Sequence, residues 1–199
     1  MSKKRIALYV LGAVVLVVGI AAAWMLGPAL LPPKPIEVGI ELEAKAPIEM
    51  DLQDSKGEPT SLAQQMGENG MVLLLVRSAD WCPFCKAQLA RTEDIDAPIR
   101  DKGYTLASLS YDPPETLAHF AKQEEITYAM LSDPGSRMID ALGLRDPQYA
   151  EGSFAYGVPR ATILILAKDG TVQAKYVAAD YRSRPSNEDV MEMLENVSG

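Results

Sequence analysis

The chain has 199 residues, 27 of them acidic and 19 basic, for a formal net charge of −8. All 27 acidic residues but only 16 of the 19 basic ones lie beyond residue 31, so that larger part carries −11. This sign excludes nucleic acid and anionic membrane surfaces as its ligands and otherwise serves solubility. Two cysteines and one histidine cannot supply the four ligands of a structural zinc site, so neither a metal nor a resident cofactor is expected.

Met1 to Arg5 holds Lys3, Lys4 and Arg5, and Ile6 to Leu31 is a run of 26 residues without a charge. That run is long enough to cross a hydrocarbon core of about 30 Å as one tilted helix. Trp24, near its far end, suits the membrane interface, and basic residues stay on the cytoplasmic side. The expected organisation is a cytoplasmic N-terminus at residues 1–5, a transmembrane anchor at 6–31, a Pro-rich spacer at 32–46 and a globular domain at 47–199. The protein is thus expected as a single-pass component of a bacterial inner membrane, with its domain in the periplasm. A cleaved signal peptide competes, because Ala21-Ala22-Ala23 resembles a processing site. The apolar run, however, is longer than the roughly 7–15 residues of a usual signal core and continues past the alanines. In either case the domain meets an oxidising setting, where a working dithiol needs an electron donor or acceptor.

Within the domain, Ile48 to Leu52, a turn at Asp54 to Gly57 and the pair Thr60-Ser61 predict an opening strand or hairpin followed by a short helix. Met71 to Val76 is a continuous apolar run of buried-strand length. Further strands are expected at Tyr104 to Tyr111, Ala161 to Ala167 and Val172 to Val177, the last two joined by the tight turn Lys168-Asp169-Gly170. Helical patterns run from Pro83 to about Ile95, from Pro114 to Glu124, and from Ser186-Asn187 through Val190, Met193 and Leu194. Leu142-Gly143-Leu144 closes another helix, and Arg145 to Tyr156 reads as a variable loop over the site. His119 falls on a helix face with no second ligand in view. The alternation predicts an α/β fold, a central mixed sheet flanked by helices.

Both cysteines lie in Ala79-Asp80-Trp81-Cys82-Pro83-Phe84-Cys85-Lys86, between a buried strand and a helix. Cys82 falls at the head of the helix, where unpaired N–H groups and the macrodipole favour a thiolate. Cys85 lies one turn on, close enough to attack a mixed disulfide formed at the first sulfur. Cys82 is therefore the candidate nucleophile and Cys85 the resolving thiol. Lys86, standing where a histidine would be required, rules out covalent haem attachment. A purely structural cross-link over so short a loop would constrain the unfolded chain little.

Trp81-Cys82-Pro83-Phe84-Cys85 after a buried strand, Gly157-Val158-Pro159 before a late strand, and Lys168-Asp169-Gly170 together resemble the thioredoxin-like superfamily. The likeness is to its redoxin and peroxiredoxin-like (AhpC/TSA-type) branch, which includes membrane-anchored thiol oxidoreductases, and it spans about residues 46–197. It implies a thioredoxin-like fold, a cis peptide before Pro159 beside the active disulfide, and Val158 facing the substrate. Trp81, Pro83 and Phe84 would border the sulfurs, with Phe84 exposed to a partner.

The resemblance leaves two activities open. The main expectation is a thiol-disulfide oxidoreductase in which Cys82 and Cys85 exchange electrons with protein dithiols or disulfides outside the cytoplasm. The alternative is a thiol peroxidase, in which Cys82 attacks a peroxide, becomes a sulfenic acid and condenses with Cys85. A third reading, from another class, is a tethered binding module whose cysteines are inert. The peroxiredoxin family polarises its substrate with a P-x-x-x-T-x-x-C segment and an arginine at the start of a late strand. Arg160 matches that arginine, whereas Leu75 and Ala79 stand at the proline and threonine positions and only Ser78 offers a hydroxyl. Many thioredoxins carry a buried acid where Val76 stands, so a proton acceptor for Cys85 must come from elsewhere. Asp80 reads as a solvated loop residue, and Lys86 as a solvated lysine or a thiolate-favouring charge.

Overall fold

The computed structural model describes residues 34–198, together with Val15–Val17 and Ile20. The chain divides into two units, Met1–Pro33 and Lys34–Gly199. In the first, Val15–Val17 and Ile20 are helical, and the rest of the anchor expected at 6–31 lies outside the described residues. Among the described residues no helix is long and apolar enough to cross a membrane.

The second unit is built on one sheet. Its strands are β1 (Leu52–Gln53), β2 (Pro59–Thr60), β3 (Gly70–Leu75), β4 (Tyr104–Ser110), β5 (Ala129–Ser132), β6 (Thr162–Ala167) and β7 (Val172–Val177). They lie in the order β2-β1-β5-β4-β3-β6-β7. β3 pairs in parallel with β4, Leu73 beside Ala107, and antiparallel with β6, Leu73 beside Leu164. A strand so enclosed is covered on both faces, which is why its sequence is apolar without alternation. The helices are α1 (Leu62–Gln65), α2 (Pro83–Thr92), α3 (Asp96–Asp101), α4 (Pro114–Gln123), α5 (Arg137–Ala141) and α6 (Asn187–Ser198). Val72 and Leu74 of β3, with Val76 just beyond it, join one core with Leu89 of α2, Phe120 of α4 and Leu194 of α6. Met71, Leu73 and Leu75 join the opposite core with Leu62 of α1 and Ile139 of α5. This is the mixed, helix-flanked sheet of a thioredoxin-like fold.

Local chemistry sets the boundaries. The hairpin from β6 to β7 turns at Gly170, φ +83°, while the Asp169 carboxylate accepts the Thr171 N–H at 3.0 Å. α6 opens on a reciprocal cap: Asp189 N–H donates to Ser186 Oγ at 3.1 Å and Ser186 N–H to Asp189 Oδ2 at 2.7 Å. Two elements escape the sequence patterns. β5 is only four residues long, and α3 places Pro98 in its first turn, where the missing N–H needs no partner.

The stretch expected as an extended spacer at 32–46 is, from Lys34 on, part of the domain. Ile36 N–H donates to Val177 O at 3.0 Å, Ile40 N–H to Leu142 O at 2.7 Å and Glu43 N–H to Val172 O at 2.9 Å. Ile36, Val38 and Ile40 pack on the second core. Their burial outweighs the extended preference of the neighbouring prolines, and the segment covers part of the edge strand β7.

Candidate active site

β3 delivers the chain to the edge of the sheet, and α2 begins seven residues beyond Val76, with Pro83 at its first position and Cys82 as its N-cap. The missing N–H of Pro83 is one the helix would leave unpaired in any case. Cys82 Sγ accepts the Cys85 N–H at 3.3 Å, so the helix terminus is directed at the leading sulfur as expected. Cys82 and Cys85 are joined as a disulfide with their Cα atoms 5.2 Å apart. Cys82 keeps 2% of its surface and Cys85 none, so attack from solvent reaches the pair at Cys82.

The loop before Cys82 is held from below by Asp112, which follows β4. Its carboxylate accepts the Ala79 N–H at 2.7 Å, the Ser78 hydroxyl at 2.8 Å and the Ser110 hydroxyl at 2.9 Å. Ser78 Oγ in turn accepts the N–H groups of Asp80 and Trp81 at 2.9 and 3.3 Å. Burial pushes the Asp112 carboxyl above its ordinary value, and the three donors only partly offset this. The hydroxyl of Ser78 is thereby committed to the loop. Asp112 is a buried acid that no sequence motif singled out.

One guanidinium contacts the disulfide and a second stands against Trp81, the residue before Cys82. Arg77, 3% exposed, directly follows Val76 and lies 5.2, 5.0 and 5.1 Å from the ring centres of Trp81, Tyr149 and Tyr181, with a hydrogen bond to the Tyr149 hydroxyl. Arg184, ahead of α6, donates from Nη2 to Cys85 Sγ at 3.5 Å. Burial, and then the charge of Arg77, pushes the Arg184 guanidinium down to about 10. Arg77 and Asp112 carried a legible signal, as charged residues directly beyond strands that run in parallel, where α/β sheets build their sites. Arg184 carried none, because only the packing of its segment across α2 brings it to the sulfurs.

The other expected site residues fall as follows. Trp81 is half-buried, donating from Nε1 to the Tyr111 hydroxyl at 3.1 Å and meeting Phe154 edge-on at 5.3 Å. Pro83 and Phe84 are exposed, and Phe84 meets Tyr181 edge-on at 5.7 Å. Tyr149 and Phe154 bring the loop 145–156 against Trp81 and Arg77, beside the site. The Lys86 ammonium is engaged with the loop before Cys82, donating to Asp80 O at 2.9 Å. Arg160 is half-buried and lines a cavity of about 10 Å³ with Arg77, Asp180 and Tyr181; the guanidinium bonded to sulfur is that of Arg184.

Two expectations at Val158-Pro159 are corrected. The peptide before Pro159 is trans, and Val158 is fully buried rather than presented to a substrate. Asp146 N–H donates to Val158 O at 2.8 Å and Arg160 N–H to Leu144 O at 2.7 Å, a bridge between 144–146 and 158–160. That pairing holds the segment extended and covers it, and an extended X-Pro segment keeps the ordinary trans peptide.

A protein-family profile described as the AhpC/TSA family matches residues 42–175. The chain belongs to the AhpC/TSA family. A putative peroxiredoxin of Mycobacterium tuberculosis is 30% identical over 132 residues, 66% of this chain and 82% of that one. Peroxiredoxin Bcp of Escherichia coli K12 is 25% identical over 143 residues, 72% of this chain and 88% of that one. Peroxiredoxin Q of Xanthomonas campestris shares the fold with a TM-score of 0.66 at 17% identity, covering 81% of this chain and 99% of that one. This AhpC/TSA-family chain is a thiol-dependent oxidoreductase, which sets aside the reading of inert cysteines.

Proposed function

We propose that the protein is a thiol peroxidase working through Cys82 and Cys85. The Cys82 thiolate attacks one peroxide oxygen, the O–O bond breaks, the other oxygen leaves as an alcohol or water after protonation, and Cys82 becomes a sulfenic acid. Cys85 then attacks that sulfur, water leaves, and the Cys82–Cys85 disulfide forms. An external dithiol restores both thiols by exchange at Cys82. The observation that carries this reading is the closed sulfur pair at the head of α2 in a chain whose relatives are peroxiredoxins. Ala79 stands where the family has a threonine hydroxyl, and positive charge is supplied instead by Arg184 at Cys85 Sγ and by Arg77 against the Trp81 ring next to Cys82. Peroxide consumption with a supplied dithiol tests it. Wild-type turnover that vanishes in Cys82→Ser is expected, and a wild-type rate equal to that of Cys82→Ser overturns it.

Exchange with protein dithiols or disulfides is the second reading, favoured by Ala79 at the threonine position and by the exposed Phe84 and Tyr181 beside the sulfurs. Under either chemistry the domain works outside the cytoplasm, tethered through residues 6–31. This part rests on the uncharged run behind Lys3, Lys4 and Arg5. Extraction of the protein with membranes and labelling of the reduced thiols in intact spheroplasts test the placement.

A further inference from the structure

Arg77 is buried and Arg184 half-buried, and both are charged and without an ion pair among the described residues. The groups around Arg184 are Arg77 beyond β3, Arg91 on α2, Tyr176 on β7 and Asp180. Asp180 is the one carboxylate among them, and it is occupied by the N–H groups of Arg182 and Ser183 at 2.7 and 2.9 Å and by the Ser183 hydroxyl at 3.1 Å. The segment carrying Arg184 is clamped to α2: Arg91 donates to Pro185 O and Asn187 Nδ2 to Arg91 O, each at 2.7 Å. Arg184 spends one nitrogen on Ser183 O at 2.7 Å and one on Cys85 Sγ, and its Nε is buried without a partner. A neutral disulfide gives such a cation little in return. A thiolate would give it a charge-assisted hydrogen bond.

We propose that Arg184 stabilises the Cys85 thiolate released when a dithiol reductant opens the Cys82–Cys85 bond. The inference rests on the reading that this disulfide turns over. One thiolate of the reductant attacks Cys82 Sγ, a bond forms between them, and the Cys82–Cys85 bond breaks with its electron pair on Cys85. The second thiolate of the reductant then attacks its own sulfur in the mixed disulfide and releases Cys82 as a thiolate. The reductant leaves as a disulfide, both cysteines are reduced, and the protons of the dithiol pass to solvent or to the cysteines. Burial alone would raise the pKa of Cys85 and make it a poor leaving group; Arg184 reverses this. The helix terminus serves the first sulfur and the arginine the second.

The test uses the full chain. In a Cys82→Ser background, Cys85 is titrated by thiolate absorbance; its midpoint is expected below the ordinary thiol value of about 8.5. Arg184→Gln should raise that midpoint by about one unit or more, and Arg184→Lys, which keeps the charge but not the fork, by less. In the two-cysteine protein, equilibration against glutathione should find the Arg184→Gln disulfide about tenfold harder to reduce, with its opening by dithiothreitol slowed by a similar factor. An unchanged glutathione equilibrium overturns the assignment. So does a Cys85 midpoint at or above about 8.5 with Arg184 in place, a measurement that needs no Arg184 variant to fold. A wild-type disulfide that native-state dithiol does not reduce overturns the redox-cycling reading itself, a result distinct from either.

Discussion

Replacing Asp112 by alanine tests what holds the Cys82 loop in place. The Ala79 N–H and the hydroxyls of Ser78 and Ser110 lose their acceptor together. Each buried donor left unsatisfied costs about 1–3 kcal/mol. Against this, a carboxylate is no longer taken out of water, a burden large enough to push its pKa up despite the three donors. The net cost is expected at about 2–4 kcal/mol. Denaturant unfolding of the oxidised protein, read from the midpoint at constant slope, measures it. The sign of its pH dependence is the sharper check. Because the folded-state pKa lies above the ordinary 3.8, the stability contributed by this group is complete below that value and is lost as pH rises through the folded-state pKa. The penalty of Asp112→Ala should therefore be greatest near pH 3 and smaller at pH 7. A penalty that grows between these two pH values would refute the reasoning, since the ionised form would then be the one the fold prefers.

Cys85→Ser should still be oxidised once by peroxide, leaving a Cys82 sulfenic acid that dimedone traps; a variant that yields no adduct argues against Cys82 as the attacking sulfur. Arg77→Met removes a guanidinium that lies against three rings and bonds the Tyr149 hydroxyl, and should cost about 2–4 kcal/mol with a change in Trp81 fluorescence. A loss under about 0.5 kcal/mol would show that the aromatic cluster stands without it. Tyr128→Phe deletes the bond from the Tyr128 hydroxyl to Leu89 O at 2.8 Å; about 1 kcal/mol of stability should go while the rate of disulfide reduction is unchanged.

The residues whose role depends on near neighbours are legible in the sequence alone. Met71 to Val76 announced a strand buried on both faces, Cys82-Pro83 a helix start, and Lys168-Asp169-Gly170 a hairpin, because short-range sterics and hydrogen bonding decide such features. The placing of both sulfurs at the head of α2 followed from the same local rules. Residues 34–46 went the other way: their prolines argue for an extended spacer, and only the exposed side of β7 and the second core turn Ile36, Val38 and Ile40 into packed residues. At Val158-Pro159 the pairing with 144–146, distant in sequence from neither side yet invisible in composition, decides a trans peptide and a covered valine. The charges of the site are tertiary too. Asp112 reaches the loop from the neighbouring strand, and Arg184 reaches Cys85 across 99 positions because α2 clamps its segment. Sequence by itself determined the buried strand β3, the start of α2 and the sulfur pair. The surroundings of those sulfurs, which govern the thiolates, came from side chains that meet only once the chain has folded.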